Sequence, residues 1–597
     1  MGRAATGTAL VATALVGAAA AAMLHAWSPS PSADVGRGTE EAFTIGLHRR
    51  ELPPRQGPLR WTTDRVTFSF DHLPAGEAEL EVALAGHHGP VIIAADGVVV
   101  GVLPAGVTNS RFPLTSTGRR SRTVQLDVPL FAAGDGRRLG ARLQRVSVRP
   151  RHRGAPGLAL LALFAAPAAL AAAVGRHAGL RPSAALAFGS AVTAIHAAIL
   201  WPSGLIRSPY AARLSLLIAA GLIAAAVFAW SVERRHSGAG RWALAAMTAA
   251  WLVQGLLATS PVMIVSDAVF HANTLARVAG GDLFPTSVTQ HSPPFRFPYG
   301  VSFYATLAPL FRAGIDGVAL VRVGAAIAGV LASAALFLVL IRAYGAAAAG
   351  LAVVLLQTLP ATFDVAYSYG NLSNGFGQSA TVGFFAWWAG AAPGGWAPGA
   401  LLLATAATAH FSSLIVAVAL AAALAVGRRP ELRGDRVRQA ALIAGLAVAA
   451  AYYAHHAGLM AAQLPRLLEG GGRESTPGVL AAARDQVMGA VWGWGLAAIA
   501  LAWFGRPSWR NGGTGIDRDL VAWWIGAGVL AMPAIVSPLE VRYLYGLTPA
   551  LAAAAGRGAT ALHSRGGLRR AVAWGLVALQ MATGALNLAE AVFVRYR

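Results

Sequence analysis

The chain has 597 residues, of which 56% are hydrophobic and only 12% charged, with a mean hydropathy of +0.54. A soluble protein carries about twice that charged fraction, so the composition predicts a polytopic membrane protein. Cysteine is absent, which excludes disulfides, thiolate metal sites and cysteine nucleophiles. The net charge of +22 is carried by arginine alone, since there is no lysine. The arginines gather at the flanks of apolar runs, where anionic lipid attracts them, and no nucleic-acid motif accompanies them. Abundant Ala, Gly and Arg point to a GC-rich bacterial genome.

Thr6–Trp27 is an apolar run behind Arg3, read as a transmembrane anchor or signal over residues 1–28. Residues 29–41 form a Pro/Ser/Gly linker. From 42 to 152 the pattern changes to short β-type runs: 66–70, 78–84, 91–95, 98–102, 123–128 and 139–148. Asp96-Gly97 between two of them reads as a hairpin turn. This set predicts a β-sandwich domain, with Trp61 as a candidate carbohydrate-stacking ring.

Beyond residue 152 the chain is apolar and helical. Accessory spans are expected over 153–240, near 156–175, 184–201 and 211–232. A core over 241–597 follows, with spans near 241–260, 300–312, 318–341, 345–363, 376–390, 399–426, 437–457, 486–504, 519–537, 541–558 and 570–592. The fold class is thus a polytopic α-helical membrane protein of about 13–15 spans with a β-sandwich inserted near the N-terminus. The basic connections 428–438, 506–518 and 557–570 fall on one side of this count, and loops 261–299 and 458–485 on the other, with the β-domain. That places the β-domain and both loops outside a bacterial cytoplasmic membrane. The run 300–312 is short enough to be re-entrant, which would move the polar stretch 364–378 from the inner to the outer side.

The loop 261–299 carries the densest chemistry: Asp267 and His271 one helical turn apart, then Asp282, His291 and Arg296. An acid at the mouth of a membrane bundle is a functional candidate; Asp267 also sits where a helix N-cap is expected. Arg296 can hold a phosphate with its planar fork. The loop 458–485 carries Glu469, Arg473, Glu474 and Asp485 around three glycines. A short connection, Ser537 to Tyr545, brings Glu540, Arg542 and Tyr543 to a span end. His410, within an apolar run, reads as a core histidine.

Asp267, the Gly280-Gly281-Asp282 turn, the Ser292-Pro293-Pro294 entry and the late Arg542-Tyr543-x5-Pro549 segment together resemble the GT-C superfamily of integral membrane glycosyltransferases, over residues 240 to 560. The usual acid pair is here Ser266-Asp267, and the core is preceded by extra spans and a β-domain. That domain loosely resembles the jelly-roll-like modules attached to some bacterial members. The resemblance implies a polyprenyl-phosphate-linked sugar donor in the bilayer and a glycan, lipid or protein acceptor in the cell envelope. Asp267 would be the general base, and Arg542 or Arg296 would hold the departing phosphate. His271, Asp282, His291, Glu540 and Tyr543 would bind substrate. A divalent ion, Mg or Mn, would fall to Asp267 and His271 if one is used. The other readings are a flippase for lipid-linked glycans and a non-catalytic protein that binds or assembles an envelope polymer.

Overall fold

The computed structural model describes residues 2–593 apart from 49–50, 52–58, 116–117, 135, 153, 262, 264–266, 289–295, 364–366, 368–369, 391–393, 469–490, 492, 508–514 and 535–539. Two compact units make up the chain: residues 1–230 with 260–264 and 592–597, and residues 231–259 with 265–591.

The first unit contains nine strands of one antiparallel sheet. They are β1 (Ser32–Asp34), β2 (Thr44–Leu47), β3 (Arg60–Phe70), β4 (Ala78–Gly86), β5 (Val91–Ala95), β6 (Val98–Leu103), β7 (Asn109–Leu114), β8 (Arg122–Asp127) and β9 (Arg142–Pro150). Their order is β6-β5-β8-β3-β9-β4-β7, with β1 on β9 and β2 on β3. This alternation of β1-β9-β4-β7 with β3-β8-β5-β6 is jelly-roll winding. The ends of the path meet, because Gly101 of β6 leaves room for the Phe112 ring of β7. The core follows the period of two: Val66, Phe68 and Phe70 of β3 and Leu80, Val82 and Leu84 of β4 are fully buried. Asp96 and Gly97 turn at φ 52° and 84°, as a two-residue hairpin requires. The Asp96 carboxylate then pairs with Arg122 at 2.8 Å.

Two elements differ from expectation. Ser32–Asp34, inside the expected linker, pairs with Arg145–Ser147 of β9. Asn109–Leu114 was hidden by Pro113, which reads as a loop residue. It sits on an edge strand opposite Glu79, where a missing N–H is tolerated.

Four long helices complete this unit: α1 (Gly2–Trp27), α2 (Leu158–His177), α3 (Pro182–Leu200) and α4 (Tyr210–Glu233). They pack through small residues, as membrane helices do; Gly17 of α1 lies against the Phe164 carbonyl of α2.

The second unit is helical: α5 (Gly240–Thr259), α6 (Ala268–Ala279), α7 (Ser302–Arg312), α8 (Gly317–Thr358), α9 (Leu372–Ala389), α10 (Trp396–Ala409), α11 (Phe411–Gly427), α12 (Arg436–His455), α13 (Ala457–Leu468), α14 (Leu496–Phe504), α15 (Gly515–Ala534), α16 (Glu540–Ser564) and α17 (Gly567–Phe593). Eight described helices in the whole chain are long and apolar enough to cross a membrane, so this is a multi-pass membrane protein with a separate sheet domain. The other expected spans fall on shorter helices or partly outside the described residues.

Two expected spans are corrected. The run 300–312 is the 11-residue α7, about 17 Å long and too short to cross a hydrocarbon core of about 30 Å. The run 399–426 is two helices, broken where His410 takes an extended backbone, φ −161° and ψ 151°. α10 starts beside Trp387 of α9 and ends against Gly300. α11 then returns, so that Arg428 at its end forks onto Asp519 of α15 at 2.7 and 2.6 Å. The pair is a hairpin with His410 at its turn. α10 and α11 are apolar but shorter than the eight helices long enough to cross a membrane. α8 bends at Gly345, φ 80° and ψ 170°, the break expected between 341 and 345.

Candidate functional site

The hairpin turn marks one end of the second unit, and the site is built on it. α6 starts at Asp267, which has φ −100° and ψ 8° and makes no side-chain capping bond to the helix. The cap expected there is therefore present in position only. One turn on, the backbone N–H of His271 donates to the Asp267 carbonyl at 2.9 Å. Asp267 is partly exposed, while His271 is buried.

His271 is fully engaged. Nε2 is 2.7 Å from the Gly370 carbonyl and Nδ1 is 2.7 Å from the Tyr304 hydroxyl. A carbonyl only accepts, so Nε2 carries the proton and Nδ1 accepts from Tyr304. Burial pushes the His271 pKa down to about 4, which keeps the ring neutral at physiological pH. The buried Tyr304 hydroxyl is pushed well above its usual value, chiefly by burial. Both nitrogens being used, His271 is a brace between α6, α7 and the start of α9, and the expected metal-sharing or substrate-binding role does not fit its geometry. Among the described residues no group of three His, Cys, Asp or Glu is placed to hold a metal ion.

Gly370, a described residue of the polar stretch 364–378, lies at the His271 end of the second unit, the end expected for that stretch with a re-entrant 300–312 and not the one given by the strict count. Tyr299 confirms this, with its hydroxyl 3.3 Å from Ser373 Oγ. The Tyr299 ring stands edge-on to His410 and to Phe270, with centroids 5.7 and 5.2 Å away. His410 is no core residue: Nδ1 accepts from the Ser412 N–H at 3.1 Å and caps α11. Tyr452, from the end of α12, donates to the Tyr299 carbonyl. Phe284 stacks on His455 at 3.7 Å. Aromatic rings from five segments thus line the end face on which Asp267 opens α6.

Asp282 follows Gly281, which turns at φ 107°, and pairs with Arg277 at 2.5 Å on the surface. Arg296 is exposed on a two-strand ribbon, Arg296–Pro298 against Thr286–Val288. His291, Glu469, Arg473, Glu474 and Asp485 lie outside the described residues, as do the side chains of Glu540, Arg542 and Tyr543, whose backbone forms the first turn of α16. On the sheet domain Trp61 meets Phe131 edge-on at 5.6 Å, and Phe131 meets His88 at 4.0 Å.

Sequence reasoning missed Tyr299, Tyr304, Phe284, Tyr452 and His455. The available signal was aromatic density at helix ends, in FPYGVSFY (residues 297–304) and YYAHH (residues 452–456).

The sequence matches no family model and no curated protein. The likeness to membrane glycosyltransferases therefore rests on the motif residues alone.

Proposed function

We propose that the chain is a membrane glycosyltransferase with a GT-C-like core. It takes a sugar from a polyprenyl-phosphate donor and passes it to a cell-envelope acceptor on the extracytoplasmic face. The observation that carries the reading is the placement of Asp267. It is a partly exposed acid at the start of α6, one turn from a rigid brace, on an end face lined with rings. Aromatic faces stack on the C–H faces of sugars. A carboxylate held there is suited to take a proton from an acceptor hydroxyl, which then attacks the anomeric carbon as the lipid phosphate leaves. Arg296 and Arg542 are assigned to that phosphate. Asp282, His291, Glu540 and Tyr543 are assigned to the sugars, and no step is assigned to a metal ion.

The opposite end supports the orientation. Arg428, Arg429 and Arg433 between α11 and α12, and Arg436 and Arg438 in the first turn of α12, gather there, a pattern expected of a cytoplasmic face.

The interior of the second unit holds a polar seam in which Gln254 donates to Gln357 at 3.0 Å and Gln357 to Ser333 at 2.9 Å, beside a cavity of about 20 Å³, room for one water.

The test is transfer from endogenous polyprenyl-phosphate sugars in membranes, wild type beside Asp267→Asn. Transfer that collapses in the variant at equal expression supports the reading. Equal transfer by both reduces Asp267 to a structural residue.

A further inference from the structure

The first unit holds a buried basic cluster that the proposed reaction does not use. Arg207, between α3 and α4, is only 6% exposed. One of its nitrogens, Nη2, donates to the His25 carbonyl at 2.9 Å, and Nε has no hydrogen-bond partner. Neither Arg207 nor Arg120 pairs with a carboxylate among the described residues. Asp71, the acid nearest in the chain to this cluster, meets Arg207 through its backbone, its N–H donating to the Arg207 carbonyl at 2.8 Å.

Other unsatisfied groups collect around it. The His25 ring, 3% exposed at the end of α1, has the Gly154 backbone within reach and no side-chain hydrogen-bond partner. The hydroxyls of Ser28 and Ser32 are buried and unpaired. Their segment runs beside Arg207, since Gly204 packs against Pro29 and Pro31. Arg120 reaches in from the sheet domain, donating to the Ala155 carbonyl just before α2. His72, held at φ 54°, adds a second imidazole. Arg207, Arg120 and His72 all act electrostatically on His25.

Arg207 is a buried guanidinium with an unbonded N–H and no counter-charge, which is costly, and the half-buried Arg120 adds a second positive charge. An anion with several acceptor oxygens satisfies them together. Tetrahedral phosphate matches two arginine forks flanked by imidazole and hydroxyl donors. The cluster lies where α1 and α3 end and α2 and α4 begin. Trp27 and Trp201 mark the same level, 62% and 45% exposed, as rings at a membrane–water interface are.

We infer that the Arg207–Arg120–His25 cluster is a binding site for the phosphate of an anionic phospholipid headgroup, held at the mouth of the first four helices. Both the donor phosphate assigned above and the sugar chemistry belong to the second unit, so the two proposals stand or fall separately.

The test uses the full chain, purified in detergent and stripped of lipid, with its melting temperature read by tryptophan fluorescence. Phosphatidylglycerol should raise the melting temperature by several degrees. Diacylglycerol with the same tails should not. In Arg207→Lys and Arg120→Gln the phosphatidylglycerol needed for half the shift should rise by more than about tenfold, since a charge-assisted fork is lost. Arg207→Met should melt no lower than wild type without lipid, because the uncompensated charge is gone, and should lose the lipid shift. An equal shift with diacylglycerol, or an unchanged midpoint in both conservative variants, overturns the proposal. A full shift with inorganic phosphate alone, without added lipid, overturns the lipid as the ligand and leaves a soluble phosphate in its place.

Discussion

The two ends of the helical second unit are built from different chemistry. At the His410 end most polar contacts among the described residues are neutral, His271 to Tyr304 and Gly370, Tyr299 to Ser373, Tyr452 to Tyr299, beside the exposed Arg277–Asp282 pair. Asp267 is the acid that opens its short helix. At the other end charges are paired and buried. Arg428 forks onto Asp519, which is 1% exposed; Arg557 pairs with Asp517, which also accepts from Tyr344 at 2.8 Å; and Arg438 pairs with Asp435 and donates to the Trp388 carbonyl. The arginine end is a closed lattice of ion pairs that fixes helix ends. The His410 end is a ring-lined surface with its acid kept off the helix cap. Buried ion pairs are concentrated at one end, and the chemistry proposed for the chain is assigned to the other.

That contrast can be broken by substitution. The largest effect belongs to Asp267→Asn, which should lower sugar transfer by about 10²- to 10⁴-fold while leaving the melting temperature near wild type. At the arginine end Asp519→Asn should do the reverse. It leaves the half-buried Arg428 without its counter-charge, costing about 1–3 kcal/mol of stability, with transfer per folded molecule unchanged. A chemical denaturation curve beside an activity assay separates the two outcomes.

Acid should weaken the His271 brace in particular. Its folded pKa lies near 4 and its unfolded value near 6.5, so the unfolded state binds the proton first. The stability it supplies is complete above pH 6.5 and declines by about 1.4 kcal/mol per unit as pH falls toward 4. Hydrogen exchange over α6 and α7 should report this loss, and His271→Gln should flatten it. Tyr304→Phe leaves His271 Nδ1 buried without a donor and should cost about 1–3 kcal/mol, with a smaller loss of transfer than Asp267→Asn. His410→Ala removes a cap from α11, a cost of about 1 kcal/mol, visible as faster exchange at the start of that helix.

Much of this was legible in the residues. Apolar runs gave the long helices, and alternation gave most strands, because both record which face is buried. The acid, the glycine turn at 280–281 and the break near Gly345 were readable for the same reason. The hairpin at His410 was not. The run ATAATAHFSSL (residues 404–414) of small, apolar and hydroxyl residues carries no proline or glycine to mark a turn, and the break is made by side chains, with His410 Nδ1 accepting from the Ser412 N–H and Ser413 Oγ from the His410 N–H. The brace was invisible too, because it joins residues 99 positions apart. The aromatic lining comes from separate helix ends that only packing brings together.

The most direct test of the two-ended account uses the absence of cysteine. Single cysteines are placed at Leu283 or Val288, both exposed near the His410 end, and at Arg433 or Arg569, exposed near the other. Cells are treated with a membrane-impermeant maleimide before and after permeabilisation. The account predicts labelling of Leu283→Cys and Val288→Cys in intact cells, and of Arg433→Cys and Arg569→Cys only after the membrane is opened. Labelling of all four from the same side would contradict it, and with it the placement of Asp267 on the outer face.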